Sequence, residues 1–460
     1  MKTKGIVIAG LAGGSGKSVV SVGLTAYLAR EGVSVIPFKK GPDYIDAGWM
    51  ALAAGRKCYN LDPYLMAEET IHSSFLKHSR NAEIVVVEGN RGLYDGVNAS
   101  GGYSTAELAI SLRLPVVLVV NCTKTTRTVA AMVLGCKMID ERINICGVIL
   151  NHVATKRQSD LISTAVEEVT GIPVLGVIPR MKRDIFPMRH LGMVPHQEYS
   201  GSAEAIKYLA DVFSESVNIE AMKQAMVDIS IGEQSTVPAV RKKSTAERVR
   251  IGVIQDAAFQ FYYAENLAAL EDEGARLISV NALSDQALPA LDGLYIGGGF
   301  PETSARELAA NTAFRTSLQQ AVEAGLPVYA ECGGLIYLGR SILLDEREYD
   351  LSGVFDIRFG MSTKPQAHGY SIFEVEGDNP FYVPGTIVKG HEFRYSTVLE
   401  WQGKREDLAL KMRRGTGFID GRDGLRYKNV MALYTHVHAG GTPEWAPGFI
   451  RFCRKWAGRG

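Results

Sequence analysis

The 460-residue sequence lacks the features that mark membrane, secreted and disulfide-linked proteins. It contains no run of 18 apolar residues, so no segment is expected to span a bilayer. The N-terminus, Met1-Lys-Thr-Lys, leads directly into a predicted strand and has no apolar signal-peptide core. The six cysteines are scattered without a C-x-x-C pair, which argues against a disulfide framework or a zinc site. These absences predict a cytoplasmic protein with reduced thiols.

The sequence also lacks an excess of charge of either sign. Lys+Arg and Asp+Glu number 50 each. A neutral chain is not expected to bind nucleic acid or an anionic membrane surface broadly. The basic stretch Arg241-Lys-Lys-Ser-Thr-Ala-Glu-Arg248 is better explained as a solvated connector than as a nucleic-acid patch.

A glycine-rich loop lies between a predicted strand at Gly5–Ala9 and a predicted helix at Val19–Arg30. In this context the backbone N–H groups of a loop surround a phosphate at the helix N-terminus. Lys17 is predicted to reach the β- and γ-phosphates, and the Ser18 hydroxyl is predicted to bind Mg²⁺. Gly10 and Gly16 are separated by five residues rather than the usual four, and an ordinary glycine-rich turn is the alternative. The predicted nucleotide contacts of the loop are Gly13, Gly14, Gly16, Lys17 and Ser18.

Short apolar strands alternate with helical segments along both halves of the chain. This alternation predicts an α/β fold with two doubly wound domains, residues 1–216 and 249–460, each built on a mainly parallel sheet. Residues 217–248 are polar and broken by Gly and Pro, so they are predicted to be a linker. The predicted strands after the first are Val33–Phe38, Ile84–Glu88, Val116–Asn121, Ile145–Asn151, Val174–Ile178, Val249–Ile254, Leu277–Val280, Gly293–Ile296 and Pro327–Ala330.

Polar residues follow the second strand, at the sheet edge where parallel sheets bind ligands. In Lys39-Lys-Gly-Pro-Asp43-Tyr44-Ile-Asp46, two carboxylates beside two lysines suit Mg²⁺ and an anionic substrate. Asp43 is the predicted metal ligand, and Tyr44 and Asp46 are predicted to contact the substrate. A helix cap and a solvated side chain are the alternative roles for the two carboxylates.

Two further strands also end in polar residues. Glu88 ends the third strand, where a nucleoside triphosphatase places a second Mg²⁺ contact. The glycines that follow, in Gly89-Asn-Arg91-Gly92-Leu-Tyr-Asp95-Gly96, suggest a loop that wraps closely around a ligand. Asn151 ends the fifth strand and is a candidate contact of the nucleotide base, with a simple polar strand terminus as the alternative.

Cys332 has the sequence context of a nucleophile. It lies at a predicted strand-to-helix turn, followed by Gly333 and Gly334, and such an elbow exposes the side chain and frees the next backbone N–H for an oxyanion. The helix N-terminus would favour the thiolate. Gly333 and the glycines Gly298 and Gly299 are the predicted oxyanion donors. His436 is the predicted base. A small buried cysteine is the alternative.

Four histidines, His368, His391, His436 and His438, fall in the last hundred residues. A metal site was weighed for them, but apart from one close pair their spacing matches no zinc pattern. The segment Lys389-Gly-His391-Glu392-Phe-Arg394 is either functional or a run of exposed polar residues.

Taken together, these motifs resemble the cobyrinate a,c-diamide synthase family over nearly the whole chain. The resemblance rests on the glycine loop and on Lys40-Gly-Pro-Asp43-Tyr44-Ile-Asp46, Asn60-Leu-Asp-Pro-Tyr-Leu, Gly92-Leu-Tyr-Asp95-Gly96, Arg189-His190-Leu-Gly-Met-Val-Pro, Asp256-Ala-Ala-Phe, Tyr295-Ile-Gly-Gly-Gly-Phe-Pro-Glu302, Glu331-Cys332-Gly333-Gly334 and Gly390-His391-Glu392-Phe.

The resemblance implies an enzyme that uses ATP, Mg²⁺ and glutamine to amidate a tetrapyrrole. An N-terminal domain similar to dethiobiotin synthetase would phosphorylate the a- and c-acetates of cobyrinate or hydrogenobyrinate. A C-terminal domain similar to class I glutamine amidotransferases would release ammonia at Cys332, with His436 moving the proton. The ammonia would pass internally to the acyl phosphate, which keeps it from becoming ammonium in water. Neither a nucleic acid nor a membrane is expected as a partner, and a homodimer is left open.

Two positions depart from the family's pattern. Amidotransferases often carry a Glu two residues after the histidine, where this chain has His438, although the corrin-amidating branch also tends to lack that Glu. Asn90-Arg91 replaces two apolar residues, and Arg91 and Asp95 are predicted to contact the acceptor. The same amidation of another tetrapyrrole, such as sirohaem or nickel-sirohydrochlorin, is therefore the alternative. A nucleotide-dependent binding protein without amidase activity is a more distant one.

Overall fold

The computed structural model describes residues 2–181, 186–189, 192–230 and 248–458. The chain divides into two compact units, Met1–Val237 and Pro238–Gly460. Each unit has its own sheet and its own hydrophobic core. Within the described ranges, every helix is too short or too polar to cross a lipid bilayer.

The N-terminal unit alternates strands with helices. Its strands are β1 (Lys4–Gly10), β2 (Val35–Lys40), β3 (Tyr59–Leu61), β4 (Ile84–Glu88), β5 (Val116–Asn121), β6 (Ile145–Val153), β7 (Val174–Pro179), β8 (Met188–Arg189), β9 (Gly192–Met193) and β10 (Val227–Asp228). Its helices are α1 (Lys17–Arg30), α2 (Ile45–Ala54), α3 (Glu68–Ser79), α4 (Thr105–Ser111), α5 (Thr128–Ile139), α6 (Lys156–Thr170), α7 (Ser202–Ser216) and α8 (Ile219–Ala225).

The sheet of this unit is parallel in the order β3-β2-β4-β1-β5-β6-β7, and β10 pairs antiparallel with the start of β1. The central strand β4 is buried throughout, as expected for a parallel strand that is covered on both faces. Parallel pairing also aligns the strand ends, and Ile8 of β1 lies opposite Glu88, the last residue of β4. The register therefore brings the Glu88 carboxylate to the edge from which the glycine loop departs.

The predicted doubly wound fold of the first half is confirmed, and the predicted strands lie close to their observed bounds. The short strand β3 was not predicted. Residues 217–230, the first part of the predicted linker, form α8 and β10 instead, because Val217, Met222 and Met226 are buried in the core of this unit. The rest of that linker, 231–247, lies outside the described residues and stays a prediction.

The C-terminal unit contains more strands than the sequence predicted. They are β11 (Val249–Ile254), β12 (Phe259–Phe261), β13 (Ala275–Val280), β14 (Gly293–Ile296), β15 (Gly298–Gly299), β16 (Val328–Glu331), β17 (Ser341–Leu344), β18 (Arg347–Asp350), β19 (Ile357–Met361), β20 (Ala367–Val375), β21 (Ile387–Arg394), β22 (Ser396–Trp401), β23 (Leu408–Arg414), β24 (Arg422–Tyr427), β25 (Val430–Leu433) and β26 (His436–Val437). The helices are α9 (Ala264–Asp272), α10 (Ala305–Ala310), α11 (Thr312–Glu323), α12 (Gly333–Tyr337) and α13 (Trp445–Trp456).

The main sheet of this unit has the order β13-β11-β14-β16-β25-β24-β23-β20-β21-β26. Its first five strands are parallel, and four of them form the predicted doubly wound part, while β25 was not predicted. The remaining strands continue the sheet in antiparallel pairs, which the sequence did not predict. The sheet therefore combines a parallel half with an antiparallel half that ends at β26, which carries His436.

Side chains of the central strands alternate between two cores. Val328 and Ala330 of β16 pack in one cluster, whereas Tyr329 packs in the other, together with Tyr295 of β14. Because successive strand residues face opposite sides of a sheet, Glu331 continues on the Tyr329 side. This alternation places a carboxylate beneath the turn that carries Cys332.

Candidate active sites

The glycine loop of the N-terminal unit connects β1 to α1, as the sequence predicted. Gly16 has a φ of 99°, and a Cβ there would lie 2.0 Å from Asn151 Nδ2, so the position requires glycine. Gly13 and Gly14 have open space around them, which leaves their backbone accessible to a ligand. The Lys17 ammonium donates to the Ala12 carbonyl at 3.2 Å and lies folded against the loop. Burial, together with Lys39, lowers the pKa of Lys17.

Asn151 contacts the loop rather than open solvent. Its Nδ2 donates to the Ser15 carbonyl at 3.0 Å, and its side chain is fully buried. Its Oδ1 is buried without a hydrogen-bond partner among the described residues. Asn151 therefore supports the loop backbone, and its predicted contact with the nucleotide base stays a prediction.

A cluster of polar side chains lies where β2, β4 and α1 meet. The Ser18 hydroxyl lies 3.1 Å from Asp46 Oδ1 and 2.9 Å from Glu88 Oε1. The Lys39 ammonium donates to Asp46 Oδ2 at 2.6 Å and to Glu88 Oε1 at 3.0 Å. Two acidic groups and a hydroxyl are thus held together beside the glycine loop by one buried cation.

The charges in this cluster depend on one another. Burial raises the pKa of the Glu88 carboxyl to about 7, against the lowering effect of Lys39. Burial alone would also raise the pKa of Asp46, but Lys39 holds it below its usual range. The same two carboxylates raise the pKa of Lys39, although burial opposes this. A buried cluster of this kind is typical of a binding or catalytic site.

Asp43 and Asp46 both lie at the start of α2 but make different contacts, and their predicted metal and substrate roles stay predictions. Asp43 Oδ1 accepts the Asp46 backbone N–H at 2.8 Å, a contact with the first turn of α2, whose N-cap residue is Tyr44. Burial raises the pKa of Asp43 to about 6, with Asp46 adding to the effect. Tyr44 precedes α2 directly. The structure therefore places Asp46, the predicted substrate contact, with Ser18 and Glu88, and leaves Asp43 at the start of the helix.

The loop after Glu88 folds over the glycine loop. Leu93 N–H donates to the Gly10 carbonyl at 2.7 Å, and the Gly92 N–H donates to Asp95 Oδ2 at 2.8 Å. Asp95 thus stabilises the turn, while Arg91 is exposed at a φ of 51°. The loop therefore packs against the glycine loop, while its wrapping around a ligand and the substrate contacts of Arg91 and Asp95 stay predictions.

The second candidate site lies in the C-terminal unit at Cys332. This residue stands between β16 and α12 with φ 47° and ψ −100°, a strained conformation typical of a nucleophile elbow. A Cβ on Gly333 would lie 2.9 Å from Gly299 N, and a Cβ on Gly298 would lie 2.4 Å from His436 Cε1. The predicted oxyanion glycines, the cysteine and the histidine therefore converge, and only glycines fit between them.

His436 interacts with both the candidate nucleophile, Cys332, and the buried carboxylate of Glu331. Burial would lower its pKa, but Cys332 and Glu331 raise it to about 10. Glu331 Oε2 lies 3.6 Å from His436 Nδ1, and Glu331 Oε1 accepts the Val437 N–H at 3.1 Å. The role of Glu331 was not predicted, because nothing in a strand-ending glutamate shows which histidine it faces.

The other histidines of the C-terminal unit lie in different surroundings. The rings of His391 and His436 stack with centroids 4.8 Å apart, and burial with His436 lowers the pKa of His391. His368 is exposed. No group of three or more His, Cys, Asp or Glu residues suited to a metal ion occurs in the part of the chain that the structure describes.

The segment around His391 is buried rather than exposed. Glu392 accepts the backbone N–H groups of Thr416 and Gly417 at 3.0 Å each. The Arg394 guanidinium donates to the Gly417 carbonyl at 2.8 Å and stacks 3.9 Å over the Tyr434 ring. Of the two alternatives for this segment, a run of exposed polar residues does not hold for His391, Glu392 and Arg394, although Lys389 is exposed.

Comparison with known proteins gives matches on both units. Residues 6–191 match the family described as the CobQ/CobB/MinD/ParA nucleotide binding domain, and residues 250–443 match the CobB/CobQ-like glutamine amidotransferase domain. The cobyrinate a,c-diamide synthase of Magnetococcus marinus is 39% identical over 96% of this chain and 95% of its own length. Those of Archaeoglobus fulgidus and Methanothermobacter thermautotrophicus are each 38% identical, over 94% and 97% of this chain and 94% and 98% of their own lengths.

Because these relatives align along nearly all of the sequence and each unit carries its own domain match, the chain belongs to the cobyrinate a,c-diamide synthase family of glutamine-dependent amidating ligases.

Proposed function

We propose that this protein amidates the a- and c-acetate side chains of cobyrinate or hydrogenobyrinate, with ATP activating the carboxylate and glutamine supplying ammonia. The observation that carries the proposal is the presence of two separately built sites in one chain. The glycine loop with its carboxylate cluster suits phosphoryl transfer, and the Cys332 elbow with His436 suits hydrolysis of an amide. The names of the relatives support the choice of ring.

In the N-terminal unit, the glycine loop would hold ATP with Lys17 at the β- and γ-phosphates. An acetate oxygen attacks the γ-phosphorus, the bond to the β-phosphate oxygen breaks, and ADP leaves. A carboxylate needs this step because hydroxide is a poor leaving group, whereas phosphate is a good one. The exposed Arg91 lies on the loop that covers this site and would pair with a carboxylate of the ring.

Residues of the same cluster fit a magnesium ion. Ser18, Asp46 and Glu88 offer the hard oxygen donors that Mg²⁺ prefers, and Glu88 Oε2 is buried without a hydrogen-bond partner among the described residues. When bound there, Mg²⁺ would neutralise charge on the phosphates. Asp46 takes the metal role in this proposal because its carboxylate contacts Ser18, whereas the Asp43 carboxylate accepts the Asp46 backbone N–H.

In the C-terminal unit, the Cys332 thiolate attacks the carboxamide carbon of glutamine. The developing oxyanion would be bound by backbone N–H groups among Gly298, Gly299 and Gly333. The carbon–nitrogen bond breaks, and His436 donates its proton to the leaving ammonia. Water then hydrolyses the thioester to glutamate and restores the thiol. The ammonia attacks the acyl phosphate carbon, inorganic phosphate leaves, and the amide forms.

The choice of ring is tested with purified full-length protein, MgATP and glutamine, and with cobyrinate, hydrogenobyrinate and sirohaem offered in parallel. We expect two successive carboxylate-to-amide mass changes on the corrinoids and none on sirohaem, with no change when ATP is omitted. Amidation of sirohaem alone would instead assign the same chemistry to another ring, with Arg91 as the first position to exchange. No amidation of any ring by folded protein would overturn the proposal.

A further inference from the structure

The residue two positions after His436 does not orient it. His438 is fully buried, and its Nδ1 accepts the Gly440 N–H at 3.0 Å. Its Nε2 lies 3.7 Å from Glu265 Oε2, on α9. Both ring nitrogens of His438 are therefore directed at groups other than His436, and the position that often holds an orienting glutamate in amidotransferases cannot supply one here.

Glu331, unlike His438, lies beside the His436 ring and can orient it. It is fully buried, and its Oε2 lies 3.6 Å from His436 Nδ1. The carboxylate is itself fixed from two directions, because Oε1 accepts the Val437 N–H at 3.1 Å and Oε2 accepts the Tyr295 hydroxyl at 3.2 Å. One of these donors is the backbone of the residue next to His436. This hydrogen bond fixes the position of the carboxylate relative to the imidazole.

We propose that Glu331 is a positioning residue that aims the His436 imidazole at Cys332, a role transferred from the position after the histidine to the position before the nucleophile. The inference rests on the proposed glutaminase function of Cys332 and His436. Glu331 and Cys332 are consecutive, and β16 pairs with β25, which leads into Tyr434-Thr-His436. The end of one strand therefore carries both the nucleophile and the carboxylate that orients its acid–base partner.

The charge of Glu331 adds to its geometry. Cys332, Glu331 and His391 are ionisable groups that lie against His436. Glu331 is the neighbour whose negative charge persists through the reaction, since Cys332 is consumed in the thioester. A buried carboxylate at this distance stabilises the imidazolium that must protonate the leaving ammonia.

The test compares Glu331→Gln, which keeps the shape and removes the charge, with the unchanged protein. Glutamate release from glutamine is measured against pH in the full chain with MgATP and cobyrinate. We expect kcat to fall about 10²-fold. The imidazolium is present below the pKa of His436 and lost above it, so removing the carboxylate moves the alkaline limb of the profile to lower pH, by about one unit or more.

Three further variants distinguish a loss of activity caused by a misoriented His436 from one caused by unfolding. Glu331→Asp keeps the charge and should restore the alkaline limb in part. Tyr295→Phe removes one donor to Glu331 and should lower kcat by a smaller factor in the same direction. His438→Gln, at the position two after the histidine, should leave the alkaline limb where it is. Thermal unfolding of each variant reports whether the unit remains folded.

The outcomes separate this inference from the function on which it rests. If Glu331→Gln lowers activity without moving the alkaline limb, or if His438→Gln moves it instead, Glu331 is only structural and the inference is wrong. If glutamate release survives Cys332→Ala, the assignment of the glutaminase reaction to Cys332 and His436 is wrong.

Discussion

Replacing Cys332 with serine is expected to abolish amidation that uses glutamine while amidation that uses ammonia continues. A serine hydroxyl at this elbow is a far weaker nucleophile than a thiolate, so glutamate release should fall by at least about 10³-fold. The acceptor is activated in the other unit, which the substitution does not touch. Product is measured by mass spectrometry with glutamine or ammonium chloride as the nitrogen source, at a pH high enough to provide free ammonia.

Cys136→Ser is the matched control for this variant. Cys136 is a partly buried cysteine on α5 in the N-terminal unit, and neither proposed reaction uses its thiol. Both nitrogen sources should support amidation in that variant. Loss of both activities in folded Cys332→Ser protein would contradict the division of the reaction between two sites.

Replacing Lys17 with alanine is expected to abolish amidation from both nitrogen sources. Lys17 is the cation that the glycine loop places at the transferred phosphoryl group, and removing one such group costs about 10²- to 10³-fold in rate. Without an acyl phosphate, ammonia from any source has no electrophile to attack. The measurement is the amidation assay used for Cys332→Ser, together with ADP release.

Lys156→Ala provides the comparison for Lys17→Ala. Lys156 begins α6, its side chain is 88% exposed, and it pairs only with Asp160 on the next turn in the described structure. A surface pair of this kind contributes little, so activity should be unchanged. Amidation that survives Lys17→Ala at the unaltered rate would show that the glycine loop is not the catalytic ATP site.

The parts of the two sites that the sequence predicted are those that depend on local chain geometry. The glycine loop after β1 and the Cys332 turn after β16 are each a strand end followed by glycines and a helix, and both were found where expected. The same locality explains why Gly298, Gly299 and Gly333 could be linked to Cys332. Small residues at a turn mark a close approach of backbone even when the approaching element is unknown.

The parts that the sequence did not predict depend on which side chains meet across the fold. Asp43 and Asp46 are three residues apart, and their order in the chain does not show which one bonds the backbone of α2 and which one reaches Ser18. Glu331 faces His436 only because β16 lies beside β25. A single sequence carries no information about such pairings.

The antiparallel half of the C-terminal sheet was missed for a related reason. Strand β21 contains Lys389-Gly-His391-Glu392-Phe-Arg394, which reads as a polar surface segment by composition. The structure buries Glu392 and Arg394 because backbone donors, carbonyls and the Tyr434 ring satisfy their charged groups. Buried charges are tolerated when they are paired in this way, and a polar run then does not indicate exposure.

The formation of an acyl phosphate is tested most directly by following oxygen from the substrate. Cobyrinate carrying ¹⁸O in its acetate carboxylates is incubated with the full-length protein, MgATP and glutamine, and the phosphate released is analysed by mass spectrometry. Attack of the carboxylate on the γ-phosphorus predicts one ¹⁸O in inorganic phosphate for every amide formed, and ADP as the nucleotide product. Amide formation with unlabelled phosphate, or with the label in AMP, would contradict activation by phosphoryl transfer at the glycine loop.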